Sequence, residues 1–223
     1  MTTAVLISGQ MRTADVCLDS IARHILRRIG EHRIYISAAD DEDAGKTELF
    51  GYRMAIVEKQ PLLPEKNYAE KMGLGCYGVQ VVLRQLWSLQ QSWAMMEADD
   101  FRPDWVIRLR PDCWFHNNIE NLADCDPRAV YVPTFHNFYG LNDRFAFGGY
   151  DAMRVYCERL ATMDTYIAKG GIFHPESHLK WALAVADVPF LRTKVTFDLI
   201  RKTGQRIKPQ WNFDAYYGDL PPA

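Results

Sequence analysis

The chain opens on Ala4-Val5-Leu6-Ile7, an apolar run without polar alternation, and turns at once into Ser8-Gly9-Gln10-Met11-Arg12-Thr13. A strand that is apolar at every position is buried on both faces, as strands are inside a parallel sheet covered by helices. Residues 15–29 then carry Val16, Ile21, Ile25 and Ile29 at helical spacing and stop at Gly30. Residues 33–37 predict a second strand, which ends in the acidic run 40–43, and residues 53–57 predict a third. Strand, loop, helix and return strand together open a doubly wound, nucleotide-binding α/β sheet.

The same alternation continues along the chain. Gly73, Gly75 and Gly78 mark a loop before a long helix over 79–97, with Val79, Val82, Leu83, Leu86, Trp93 and Ala94 as its apolar stripe. Trp87, Trp93, Met95 and Met96 read as core. Further strands are expected at 104–112, 130–133, 144–147 and 188–191, and helices at 151–163 and 175–185. No linker interrupts the pattern, so one domain over 1–223 is expected. Its nucleotide-binding half is placed at about 1–112 and its acceptor or sugar half at 113–205, with an irregular tail over 206–223. A length of 223 residues with 48% hydrophobic content suits a single sizeable core.

Composition narrows the partners. A net charge of -2 gives no electrostatic reason to expect nucleic acid or an anionic membrane. The cysteines, at 17, 76, 113, 125 and 157, are odd in number and form no CxxC or zinc-spaced cluster, which favours a reducing compartment. The first apolar run falls well short of the ~18 residues a membrane span needs. A soluble, cytoplasmic protein is the expectation, and its oligomeric state is left open.

Four constellations could carry chemistry. In the strand around Trp105-Val106-Ile107-Arg108-Leu109-Arg110-Pro111-Asp112, alternation puts Val106, Arg108, Arg110 and Asp112 on one face. Two arginines on a core-like strand need an anion to offset their burial. The diphosphate of a nucleotide-sugar would serve, and so would a structural ion pair. Asp112, at the carboxyl end of the strand, could hold Mn²⁺ or Mg²⁺. The first loop is the second constellation. Gly9 permits close backbone approach, while Ser8 and Arg12 could bond base, ribose or phosphate, although a plain strand-to-helix turn explains the loop equally well. The loop fits neither the phosphate-cradling lysine motif nor GxGxxG.

The third, Asn142-Asp143-Arg144-Phe145-Ala146-Phe147-Gly148-Gly149, suits a sugar or acceptor pocket, or a strand with a Gly-Gly exit turn. The fourth is His174-Pro175-Glu176-Ser177-His178. Pro175 fits the first helical position, so Glu176 falls in the first turn, where the helix dipole favours a carboxylate and lowers its pKa. Glu176 could also be the general base that deprotonates an acceptor hydroxyl. The acidic strings at 41–43 and 124–126 read as solvated loops. His24 and His32 read as surface residues, and His116 and His136 as weak candidates for metal or substrate contact.

At these four blocks the sequence resembles small stand-alone GT-A-like glycosyltransferases of bacteria and large DNA viruses. The resemblance runs from about Val5 to Trp181 through Ser8-Gly9-Gln10-Met11-Arg12, Arg108-Leu109-Arg110-Pro111-Asp112, Asp143-Arg144-Phe145-Ala146-Phe147-Gly148 and Glu176-Ser177-His178-Leu179-Lys180-Trp181. It implies a Rossmann-like sandwich whose mixed central sheet is mainly parallel and flanked by helices. It also implies transfer of a sugar from a UDP- or GDP-linked donor to a glycan or other hydroxyl acceptor. Ser8, Gly9, Gln10, Arg12, Arg108, Arg110, Asp112, Asp143 and Arg144 would bind the donor, Asp112 the divalent metal, and Glu176 would be the base of an inverting reaction. Arg110-Pro111-Asp112 keeps only the last acid of the family's DxD motif, which puts metal dependence in question. Two alternatives stay open: a nucleotide-sugar-binding module without catalysis, and a nucleotidyltransferase, whose paired metal carboxylates or lysine loop the sequence does not show.

Overall fold

The computed structural model describes residues 1–73, 76 and 78–210. The segment from 211 onward and Gly75 of the glycine loop lie outside the described residues. The chain is a mixed α/β structure built on a seven-stranded sheet flanked by helices.

Strands β1 (Thr3–Gly9), β2 (His32–Ala39), β3 (Met54–Glu58) and β4 (Trp105–Leu109) are parallel, with β1 between β2 and β4. Strand β5 (Cys113–Phe115) leaves this sheet, whereas β6 (Val130–Val132), β7 (Phe145–Gly149) and β8 (Phe190–Arg192) extend it. The order is β3-β2-β1-β4-β7-β6-β8, with β7 antiparallel to both β4 and β6. Strands β9 (Phe197–Ile200) and β10 (Arg206–Ile207) form a small second sheet with β5.

The unalternating first strand is explained by two cores. Val5 and Ile7 pack beneath α1 (Ala14–His24) and the small sheet, with Ile107, Leu109, Phe115 and Phe197. Ala4 and Leu6 face the opposite core, with Val106, Ala146 and residues of α2 (Val79–Ala98), α3 (Tyr150–Glu158) and α5 (Pro175–Val185). Trp93, Met95 and Met96 are buried there, as their helical spacing predicts. Helix α4 (Met163–Ala168) and the start of α2 close a third apolar cluster around Trp181.

Several boundaries differ from the sequence expectation. The fourth strand ends at Leu109, because Pro111 cannot donate to a ladder, so Arg110 and Asp112 lie in the turn before β5. The first helix stops at His24 and yields to a 3-10 turn over Leu26–Arg28. The helix expected over 151–163 is α3 followed by a 3-10 turn, Arg159–Thr162, and then α4. Arg206 and Ile207 pair with β9, so the irregular tail does not begin at 206. Gly148 and Gly149 belong to β7 and make no exit turn. A Cβ on Gly149 would stand 2.4 Å from Pro127 O, so the pair is there for close approach.

Candidate active site

Because β2 and β3 lie on one side of β1 and β4 on the other, the winding of the sheet reverses between β1 and β4. Open α/β sheets bind ligands in the crevice outside the carboxyl ends of their strands at such a point. Ser8 and Gly9 end β1 there, and Arg108 and Leu109 end β4. The antiparallel register of β7 sets Phe145 opposite Leu109, so Asp143 and Arg144 arrive beside Arg110. Helix α5 brings Glu176 to the same place. Leu141 N donates to Glu176 O at 3.1 Å, and a Cβ on Gly140 would stand 1.9 Å from that oxygen.

The result is a buried cluster in which Arg108, Arg110, Arg144 and Arg159 face Asp112, Asp143 and Glu176. Arg144 Nη1 donates to Glu176 Oε1 at 2.9 Å and stands 3.6 Å from Asp143 Oδ1. Arg159 Nη2 is 3.7 Å from Asp143 Oδ2, to which Gln85 Nε2 also donates. Arg108 and Arg159 are fully buried, and the Nε and Nη1 of Arg108 and the Nε and Nη2 of Arg159 have no hydrogen-bond partner. A buried guanidinium with unpaired donors is costly, and the cluster holds more arginines than carboxylates.

Ionisation divides the two inner carboxylates. Burial alone would raise Asp143, but Arg144, Arg108, Arg159 and Arg110 together hold it below the usual carboxylate range. Burial and then the Asp143 charge push Glu176 up to about 8, against the pull of Arg144. The helix dipole was expected to lower Glu176, and desolvation outweighs it. His174 Nδ1 is 3.1 Å from Glu176 Oε2 but not aligned for a hydrogen bond. Burial, and after it nearby arginine charge, lowers His136 to about 4 and His178 to about 3, and burial lowers His174 to about 4 against the opposing charge of Asp143, so all three are neutral at pH 7.

Asp112 closes the cluster at its more open side. Arg110 Nε and Nη2 donate to its two oxygens at 2.9 and 2.6 Å, a bidentate pair. Among the described residues no group of three or more His, Cys, Asp or Glu side chains could hold a metal ion. Asp112, the carboxylate expected to hold a divalent metal, has both of its oxygens engaged by Arg110.

The first loop lies apart from the buried cluster. Gly9 has φ +120°, a conformation that favours glycine, and the Ser8 hydroxyl is buried without a partner. Gln10 Nε2 reaches Asp41 Oδ2 at 3.4 Å. Arg12 is exposed and lines a cleft of about 430 Å³ together with Lys46 and with Arg201 and Lys202 of the β9–β10 turn. Of the acidic strings, 41–43 borders this cleft through Asp43, while Asp126 only pairs with its neighbour Arg128. His116 pairs with Asp198 at 3.0 Å, and His24 with Asn118 at 2.9 Å.

The structure thus brings Arg108, Arg110, Asp112, Asp143, Arg144 and Glu176 together, and leaves Ser8, Gly9, Gln10 and Arg12 at the adjoining mouth. Sequence reasoning missed Arg159, Gln85 and Arg201. A signal for Arg159 existed: it falls on the buried stripe of Ala152, Tyr156 and Met163 at helical spacing, an unusual place for a charge. Arg201 had none, because its two-strand hairpin is too short to show a pattern.

The fold and the site define an α/β protein with an arginine-rich cluster buried at the switch point of its sheet. The chain belongs to the family described as Domain of unknown function (DUF7796), whose model matches residues 1–213. No curated protein matches its sequence. Among solved structures it is similar to a glycosyltransferase involved in the glycosylation of the major capsid of PBCV-1. The two share 12% identity over 85% of this chain and 80% of that one, with a TM-score of 0.46. Among the described residues no helix is long and apolar enough to cross a membrane, and Cys17, Cys113, Cys125 and Cys157 are free thiols.

Proposed function

We propose that this chain is a GT-A-like glycosyltransferase that moves a sugar from a UDP- or GDP-linked donor to a hydroxyl acceptor. The observation that carries the reading is the surplus of buried arginine at the switch point, with donors on Arg108 and Arg159 left unpaired. Charge develops on the departing diphosphate during transfer, and preorganised cations in a water-poor site stabilise it without reorganising. Ser8, Gly9, Gln10 and Arg12 hold the nucleotide. Arg108, Arg110 and Arg144 set the positive field, and Asp112 and Asp143 fix the arginine geometry. Glu176 in its ionised form, the minor one at pH 7 while its pKa is raised to about 8, takes the proton of the acceptor hydroxyl as the sugar carbon inverts. Mn²⁺ or Mg²⁺ at Asp112 would require release of its bidentate Arg110.

A second reading has its own observation. Glu176 is buried and held by Arg144, and Asp112 is fully engaged, which suits a module that binds nucleotide-sugar without turning it over.

One experiment separates the two. UDP- and GDP-sugars are screened by thermal shift with and without Mn²⁺, and release of free nucleoside diphosphate is then followed with the selected donor and candidate acceptors. Transfer is expected, with Glu176→Gln keeping the donor shift and losing roughly 10²–10⁴-fold in turnover. Binding without any released diphosphate would leave the binding module. A Glu176→Gln enzyme at the wild-type rate would remove Glu176 as base.

A further inference from the structure

The cleft beside the buried cluster carries a charge imbalance of which the reading above uses only Arg12. It is lined by five cations, Arg12, Lys46, Arg201, Lys202 and Arg206, on a chain whose net charge is -2. Two of the five are neutralised. Lys46 pairs with Asp15 at 3.0 Å and Asp43 at 3.1 Å, and Lys202 pairs with Glu42 and Asp43. Arg206 lies over the Trp114 ring at 4.8 Å, which leaves its charge in place. The Arg12 and Arg201 guanidinium groups make no hydrogen bond or ion pair among the described residues.

Arg201 is placed where cleft and cluster meet. The preceding residue, Ile200, donates its N–H to Asp112 O at 2.9 Å and accepts from Thr13 Oγ1 at 3.0 Å, which ties the β9–β10 turn to both the first loop and Asp112. The turn is closed by Arg201 N to Gln205 O at 2.9 Å and by Gly204 at φ +79°, so the backbone that carries Arg201 is defined. The Arg201 charge contributes to lowering Asp112 and also acts on His136, so its field reaches across the crevice. An unpaired guanidinium offers a fork of donors that matches phosphate oxygens two at a time.

We propose that Arg201, with Arg12 across the cleft, is the seat of a diphosphate group, and that it bridges the cleft to the Arg110–Asp112 pair. The ligand class is a nucleoside diphosphate or its sugar ester, and the assignment rests on the donor-binding reading above. Lys46 and Lys202 play a different part: already paired, they hold the two walls of the cleft together and leave the arginines for the ligand.

The test measures affinity for UDP, GDP, inorganic pyrophosphate and the corresponding nucleosides by calorimetry on the full chain. Variants are Arg201→Ala, Arg201→Lys and, as a remote charge control, the exposed Arg102→Ala. Arg201→Ala should weaken nucleoside diphosphate and pyrophosphate about tenfold or more, Arg201→Lys less, and Arg102→Ala not at all. Nucleoside binding and the melting temperature of the free protein should be unchanged in all three. Diphosphate affinity equal to wild type in Arg201→Ala overturns the assignment while the donor reading stands. A wild-type chain that binds none of the phosphate-bearing probes overturns both.

Discussion

Two arginine–carboxylate assemblies sit at opposite ends of the central sheet, and they are built on different terms. At the amino end, Asp99 from the end of α2 accepts from Arg33 at 2.8 Å, from Arg53 in a bidentate pair, and from Tyr35 Oη at 2.8 Å. Its arginines are 42% and 56% exposed, so their remaining donors face water. At the carboxyl end, Arg108 and Arg159 are wholly buried, and several of their donors make no hydrogen bond. Both assemblies join strands to helices with the same residue types. The first is saturated and serves the fold; the second stores unpaired charge where α/β sheets bind ligands.

The largest expected effect comes from upsetting the buried balance. Asp143→Asn removes the carboxylate that pairs with Arg144 and Arg159 and should cost about 3–5 kcal/mol in urea denaturation, as breaking buried charge pairs does. Asp99→Asn should cost less, since its arginines can turn to water. Equal losses would break the contrast between the two ends. Next in size is Gly140→Ala. A Cβ there meets the backbone oxygen of Glu176, so the loop or the start of α5 must shift, at about 1–3 kcal/mol. Turnover should fall further than this stability loss explains, because Glu176 and Arg144 move together. A variant as stable as wild type would show that the loop is looser than its close approach implies.

How far the sequence reveals this arrangement depends on the size of each element. Strands β1, β2 and β4 and helices α2 and α5 were legible, because apolar runs and helical stripes of that length have few other solutions. The six clustered candidate residues fell within the blocks that the sequence singled out, and Arg108 stood out as a charge in an apolar strand. The small sheet of β5, β9 and β10 was not legible, since two to four residues show no periodicity. Arg201 was hidden with it. The pairing of Arg110 with Asp112 was also beyond pattern. Two residues apart on a strand they share a face, but only the turn at Pro111 lets the guanidinium fold back onto the carboxylate.

The smallest effect is a difference of sign. Asp99 is held well below the usual carboxylate range, chiefly by the Arg53 hydrogen bonds and then by Tyr35, against the opposing effect of desolvation. Its stabilisation is therefore present above about pH 4 and is lost as pH falls through the depressed value. Glu176 runs the other way. Raised by burial and by Asp143, it favours the protonated folded state, so its contribution is complete below about 4.5 and is lost as pH rises toward 8. The groups facing it are Arg144, Asp143 and His174; Asp143 is held below the usual carboxylate range and His174 is lowered to about 4, so neither of those two changes charge between pH 5 and 8. Denaturation series at constant ionic strength should show Asp99→Asn flattening the acid limb and Glu176→Gln flattening the decline from pH 5 to 8. If Glu176→Gln leaves that decline unchanged, the carboxyl is ionised in the folded protein at neutral pH. The two ends of the sheet would then share one electrostatic logic.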